Sequence, residues 1–255
     1  MQYEDKERFI QMAEDYDRMA PFFVPQYDFL QREMILQSRI ANIPRPAIVD
    51  LGAGSGLFLE KALAVNPRAF CYWVDSSPAF LAVAQRRLAR FGKQVTYINS
   101  AIESEWKNQV GRPVNAIFSM SAIHHLDRHE KQAAYRDCFE MLVPGGWFIN
   151  TDEMRGLDET AYRAALDFWV NHVNEAGQHV PAELQGHARQ WLQHFDHWKQ
   201  RNIDQFDRPK TKGDDLHESV LDQVRWLNEI GFSQVDIFVK YHLWCSIGGR
   251  KPWTT

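Results

Sequence analysis

The sequence predicts an α/β fold in which a mainly parallel sheet carries helices on both faces. Strand-like and helix-like stretches alternate between residues 47 and 151, the pattern that builds parallel βαβ units. The first of these strands runs straight into a glycine-rich turn, Gly52-Ala53-Gly54-Ser55-Gly56, and then into a helix. After a long helical stretch, two alternating runs at 235–239 and 242–247 close the chain as a pair of strands.

Phe9, Met12, Ala13, Tyr16, Met19 and Ala20 recur at helical spacing and Pro21 ends the pattern, so the chain opens on an amphipathic helix. A second helix is expected over about 27–41. Pro44 and Pro46 separate both helices from the strand at 47–51, which makes residues 1–45 a helical cap. Helix 57–65, strand 69–75, helix 78–91, strand 95–99, strand 116–120, helix 128–142 and strand 147–151 follow in turn. Asp127 with Glu130 three residues later reads as a capping box for helix 128–142, and Pro144-Gly145-Gly146 punctuates its end. Tyr162, Leu166, Trp169, Val170 and Val173 then keep a helical period, and no strand pattern returns before about residue 234. Residues 155–214 are therefore expected to form a helical insertion, and a final helix over 216–230 stops at Gly231. The core domain is thus split between 46–154 and 215–255.

With 255 residues, 45% of them hydrophobic and 24% charged, the chain has the composition of a globular protein with one sizeable core. No apolar run approaches the ~20 residues needed to span a bilayer. The start, Met1 to Phe9, alternates acidic and basic residues with no hydrophobic segment, so a cytoplasmic location without membrane association is expected. Cys71, Cys138 and Cys245 are widely spaced and form no CxxC pair, which predicts buried reduced thiols. A net charge of −4 gives no long-range attraction to phosphate backbones and disfavours nucleic acid as a partner. Lys199, Arg201, Arg208, Lys210 and Lys212 make the one basic cluster of note, but Asp204, Asp207, Asp214 and Asp215 interleave it, as in a solvated loop.

The glycine turn allows a ligand to approach the backbone closely, although a tight strand-to-helix turn alone would also use it. A dinucleotide fingerprint, G-x-G-x-x-G, would require glycine at position 57, which is Leu57; the spacing here is G-x-G-x-G. Asp75 ends the next strand at the distance where a carboxylate accepts hydrogen bonds from a ribose diol, or caps the helix that begins near Pro78. Together the two features favour an adenosine-bearing ligand.

On these motifs the sequence resembles the class I S-adenosylmethionine-dependent methyltransferases, over residues 47–153 and the terminal strands. Asp50-Leu51-Gly52-Ala53-Gly54-Ser55-Gly56 is similar to the family's first motif and Asp75 to its ribose-binding acid. The segment from Asn115 to Leu126, which includes Ser119, Met120, His124 and His125, resembles the fourth-strand motif, and Leu142-Val143-Pro144-Gly145-Gly146 resembles the lead into the fifth strand. The resemblance implies a Rossmann-like seven-stranded sheet closed by an antiparallel terminal strand, with S-adenosyl-L-methionine as cofactor. It implies a cofactor site at Tyr16, Asp50, Gly52, Ala53, Gly54, Gly56, Asp75, Ser76, Ala101, Ile102, Ser119 and Met120. Two positions depart from the family: Ala101 stands where an adenine-side acid is usual, leaving backbone or Glu103 for that role, and Asn115 replaces an aspartate. Within the family, the His124-His125-Leu126 ending, Tyr16-Asp17 and residues 244–249 resemble small-molecule enzymes and a branch that modifies tRNA wobble uridine.

The expected activity is methylation of a small molecule at an O, N or C nucleophile. A tRNA-modifying enzyme and a non-catalytic scaffold are the alternatives. Methyl transfer is an in-line displacement, so a base is needed only for an acceptor that arrives protonated. His124 and His125, just past the fourth strand at the ligand-bearing edge of an open sheet, are the candidates, with His124 favoured as nearer the strand. Either could equally pack internally or hydrogen-bond a loop. Asp152 and Glu153 follow the fifth strand at the same edge, placed to orient an acceptor, bind a cation or cap a helix. Trp169 and His172, in an insertion that also holds His179, His187, Trp191, His194, His197 and Trp198, could form an aromatic lid over the acceptor or simply pack a helix on the core. No HExxH-like pattern accompanies His194 and His197, and no metal is expected.

Overall fold

The computed structural model describes residue 13 and residues 15–253. Seven strands form one sheet in the order β3-β2-β1-β4-β5-β7-β6. They are β1 (Ala47–Leu51), β2 (Phe70–Asp75), β3 (Val95–Asn99), β4 (Val114–Met120), β5 (Leu142–Glu153), β6 (Ser233–Tyr241) and β7 (Trp244–Arg250). The first five run parallel, and β7 lies antiparallel to both β5 and β6. The Rossmann-like α/β architecture is therefore as the sequence implies.

Side chains alternate across the central strands and divide the core in two. Val49 and Leu51 face one cluster with Val74, Ile117 and Phe148, covered by α5 (Arg128–Met141) and α8 (Val220–Ile230). Ile48, Trp73 and Phe118 face the other, covered by α2 (Tyr27–Ser38), α3 (Leu57–Val65) and α4 (Pro78–Leu88). All of β1 is buried, which explains its continuous apolar run. Because β1 has β2 on one side and β4 on the other, the chain reverses its winding there, and the carboxyl ends of these strands open a crevice.

A third cluster joins α1 (15–23) and the start of α2 to α6 (Glu159–Gln178) and α7 (Gln185–Lys199), seated on Leu243 and Trp244. Pro21 does not end α1, which runs on to residue 23. Burial of Met19, Ala20 and Phe23 favours that extra turn, and the carbonyls it leaves open find partners: Trp169 Nε1 donates to Phe23 O at 2.8 Å and His172 Nε2 to Phe22 O at 3.0 Å. Phe9 and Met12, part of the expected helical pattern, lie outside the described residues.

The Asp127–Glu130 capping box is present in full, and Asn115 Oδ1 accepts the Ala47 N–H at 2.9 Å, joining β4 to the start of β1. All three cysteines are buried and free. Helix α8 begins at Val220 rather than at residue 216. Residues 215–219 instead form an extended strap, tied down where Leu216 N–H donates to His124 O at 2.8 Å. Among the described residues no helix is long and apolar enough to cross a membrane.

Candidate functional site

Beyond β1 the chain turns sharply and is pinned to β2. Gly52 and Ala53 N–H both donate to Val74 O, at 2.8 and 3.0 Å, and Gly54 N–H donates to Asp75 Oδ2 at 2.9 Å. Gly52 has φ +69°, and a Cβ there would fall 2.2 Å from Ala122 Cβ, so the loop after β4 packs directly against this backbone. Gly56 serves packing of a different kind, since its missing Cβ makes room for Leu88.

Asp75 is not a helix cap; the Ser77 hydroxyl caps α4 by accepting from Phe80 N–H. Its carboxylate accepts Ser77 N–H at 2.8 Å on Oδ1 and Gly54 N–H on Oδ2. Each oxygen keeps a further acceptor position for a ligand. Burial raises the pKa of Asp75, and the N–H groups of Ser77, Gly54 and Ser76 oppose that rise.

These groups open on a cavity of about 600 Å³. Of the expected cofactor residues, Tyr16, Asp50, Gly52, Ala53, Gly54, Asp75, Ser76, Ala101, Ile102 and Met120 line it; Glu103 does so beside Ala101, where the sequence offers no acid. Gly56 and Ser119 stand behind the wall, Ser119 because its hydroxyl turns away to donate to Leu51 O. Burial lifts the Asp50 carboxyl well above the ordinary carboxylate range, and the Asp75 charge adds to the effect. Asp50 Oδ2 is buried with no hydrogen-bond partner, and Gln31 and Ser121 line the same cavity beside Tyr27 and Tyr16. A buried acceptor left open in this way fits a ligand that brings an N–H or O–H donor.

Helix α1 closes one side. Tyr16 meets the Phe80 ring edge-on at 6.0 Å, while Asp17 pairs with Arg87 and accepts from the Ser55 hydroxyl, which clamps the helix over the glycine turn. Burial pushes the Tyr16 pKa up to about 12, so its phenol is neutral at physiological pH.

A 3₁₀ turn over Ile123–His125 presents His125 to the same cavity beside Ser121 and Ala122, with Lys212 and Gly213 from the strap side. His124, the favoured proton acceptor in the sequence, faces the protein interior instead. Its Nδ1 donates to Asp152 Oδ1 at 2.5 Å and its backbone N–H to Asp152 Oδ2 at 2.9 Å, while Nε2 lies 3.5 Å from Asp215 Oδ1. Burial pushes the His124 pKa down, but the charges and hydrogen bonds of the surrounding carboxylates more than offset it and hold the pKa well above the ordinary histidine value. An imidazole saturated by carboxylates is a poor general base. Asp152 is thus spent on His124, and α6 takes its cap from Asp158. Glu153 lies 2.8 Å from His217 Nε2 and accepts from Trp198 Nε1 at 3.3 Å.

Residues 48–146 match the family described as a methyltransferase domain. An uncharacterised methyltransferase of Geobacillus kaustophilus is 27% identical over 161 residues, 62% of this chain and 71% of that protein. The chain carries a methyltransferase domain over residues 48–146. An O-methyltransferase family protein of Burkholderia thailandensis has a similar fold (TM-score 0.58, 14% identity), the match covering 93% of this chain and 64% of that one. So does the N-methyltransferase NodS of Bradyrhizobium japonicum bound to S-adenosyl-L-homocysteine (TM-score 0.57, 15% identity), with 98% of each chain covered.

Trp169 and His172 do not reach the cavity of the methyltransferase domain. They hold the end of α1, and Trp169 packs with Phe195, Trp198 and Trp244 in an aromatic cluster where Trp191 also stacks on Phe23. The aromatic spacing of α7 is therefore that of a helix packed on the core. Gln31, Ser121 and Asp215 were not singled out from the sequence as site residues. Gln31 and Ser121 belong to no glycine or acid motif, and Asp215 reads there as one of several acids in a solvated loop.

Proposed function

We propose that this domain methylates a small molecule that enters against His125. The observation that carries the proposal is a cavity of about 600 Å³ whose wall is shared by the glycine turn, Asp50, Asp75 and His125. That volume lies within the range of sites for small ligands. Bound there, S-adenosylmethionine supplies an electrophilic methyl group on a sulfonium. Asp75 accepts from the ribose diol, Ala101, Ile102 and Glu103 border the adenine side, and the unpartnered Asp50 Oδ2 meets the amino group. Tyr16 and the clamped α1 exclude water, and the acceptor loses its proton, where it carries one, at the His125 edge. The experiment is S-adenosylhomocysteine release measured across metabolite pools and tRNA. Release with a metabolite fraction supports this reading, and release with tRNA alone overturns it.

The basic cluster supports a small acceptor as well. Arg201 forms a bidentate pair with Asp214, Lys210 donates to Arg201 O and Asn202 Oδ1, and Lys212 pairs with Glu130. Cations already paired release few counterions on meeting a phosphate backbone. Binding to tRNA is therefore expected to be weak and nearly independent of salt. A steep loss of affinity between low and physiological salt, removed by neutralising Lys199, Arg201 and Lys210, would contradict this.

The raised pKa of Asp50 makes cofactor binding depend on pH. In the free protein a raised carboxyl favours the protonated form, so its contribution to stability is complete below the unfolded value of about 3.9 and is lost as pH rises through the folded pKa. A bound ammonium stabilises the carboxylate, so binding there releases a proton. The rise in melting temperature caused by S-adenosylhomocysteine should grow as pH rises from the ordinary carboxylate range, and Asp50→Asn should flatten that slope. Parallel slopes in the two proteins would remove Asp50 from the amino-group site.

A further inference from the structure

We propose that His124 Nε2, His125 Nδ1 and Asp215 Oδ1 form a binding site for a divalent transition-metal ion at the acceptor edge of the cavity. The three donor atoms lie within 4.8 Å of one another. Asp215 Oδ1 is 3.5 Å from His124 Nε2 and 3.3 Å from His125 Nδ1. Both separations exceed the ~2.7–3.2 Å of a well-formed N–H···O bond. The 3.3 Å separation falls within, and the 3.5 Å one just above, the spacing of neighbouring ligands around an ion, which is roughly 3.0–3.4 Å when the bonds are about 2.0–2.1 Å long.

The ligands are held in place before any ion arrives. The 3₁₀ turn brings the two adjacent imidazoles to a ring distance of 3.9 Å, so they converge rather than splay. Asp152 takes both the ring Nδ1–H and the backbone N–H of His124, the carboxylate–histidine support typical of metal-binding histidines, and this turns Nε2 toward Asp215. Lys131, buried, donates to the carbonyls of His124, Leu126 and Leu216, which locks the turn to the strap that carries Asp215. Glu153 and His217 form a second trio with the same Asp215. Three carboxylates, Asp152, Glu153 and Asp215, thus converge beside Lys131, whose ammonium is engaged by carbonyls, and a dication would add positive charge among them.

Two imidazoles and one carboxylate suit Mn²⁺, Fe²⁺, Co²⁺, Ni²⁺ or Zn²⁺ rather than the all-oxygen sites of Mg²⁺ or Ca²⁺. His125 lines the cavity, so the remaining coordination positions face the acceptor. On the reading above, on which this role for the ion rests, an acceptor hydroxyl coordinated there becomes more acidic, as metal-bound water does. Its O–H proton would pass to bulk water, and the oxygen's electron pair would form the O–C bond to the methyl carbon as the C–S bond breaks, its electrons staying on the sulfur of the departing S-adenosylhomocysteine.

The test uses the untagged full-length chain, stripped with a chelator and titrated with Mn²⁺, Co²⁺, Ni²⁺ and Zn²⁺ by calorimetry. One equivalent of at least one of these ions should bind. Asp152→Asn, which removes the carboxylate charge that supports His124, should weaken that binding by about 10- to 100-fold. His125→Ala and Asp215→Ala should weaken it further, and His125 is exposed enough that its variant should fold. Absence of stoichiometric binding by the wild type, or unchanged affinity in His125→Ala, would overturn the proposal, the latter by placing the ion elsewhere. S-adenosylhomocysteine binding, measured on the same samples, reports on the cofactor site separately: its loss counts against the cavity reading, and its retention without metal binding counts against the metal site alone.

Discussion

Gly52→Ala is expected to destabilise the protein by roughly 2–5 kcal/mol and to weaken cofactor binding with it. Two costs add. An alanine held at φ +69° costs about 1–2 kcal/mol relative to glycine, and forcing a methyl group into a packed site typically costs 1–3 kcal/mol. The clash is with Ala122 Cβ at 2.2 Å, and neither partner can swing aside, because both atoms are fixed by their backbones. Gly52 is bonded to Val74 on one side, and Ala122 leads into the turn that carries His124 and His125 on the other. Relief of the clash must therefore move the glycine turn or the acceptor edge, and both border the cavity. Urea unfolding of the single variant and of Gly52→Ala with Ala122→Gly separates the two costs. The second change should restore the packing part and leave the backbone part. A single variant as stable as wild type would mean that these two loops are not in the contact described.

The sheet and its ligand edge were legible in the sequence because each depends on local signals. A β-branched run ahead of glycines can hardly be anything but a buried strand entering a turn, and Asp75 sits one strand later at the same edge. What could not be read was set by contacts between distant segments. The strap 215–219 has a helical apolar pattern, yet the bonds from Leu216 N–H to His124 O and from Lys131 to Leu216 O hold it extended, and that conformation brings Asp215 to the histidines. The same holds for His124: its position after β4 suggested an open site, whereas Asp152, 28 residues away, turns it inward. Trp169 and His172 have the composition of an acceptor lid, but the carbonyls at the end of α1, about 150 residues earlier in the chain, claim their ring N–H groups. Proline rules failed at Pro21 for a related reason, since burial and those two side-chain donors outweigh one missing N–H.

Replacing His125 by alanine should lower turnover by about 10²-fold or more while leaving S-adenosylhomocysteine affinity within a few-fold of wild type. His125 is the imidazole that the structure offers to the cavity; His124 is enclosed by Asp152 and Asp215. A side chain that acts on the acceptor affects the chemical step, whereas one that merely props the wall would change cofactor affinity and melting temperature as well. Imidazole added to the His125→Ala protein sharpens the distinction, because it can refill the vacated place on the acceptor side and restore part of the lost rate, but it cannot rebuild a packing contact. His124→Ala is expected to behave differently. It strands Asp152 as a buried carboxylate without its partner, at a cost of about 3–5 kcal/mol, so its main effect should be on folding rather than turnover. If His125→Ala turns over near the wild-type rate with every acceptor that supports S-adenosylhomocysteine release, the acceptor does not approach along this edge, and catalysis rests on positioning from the Tyr16 side of the cavity.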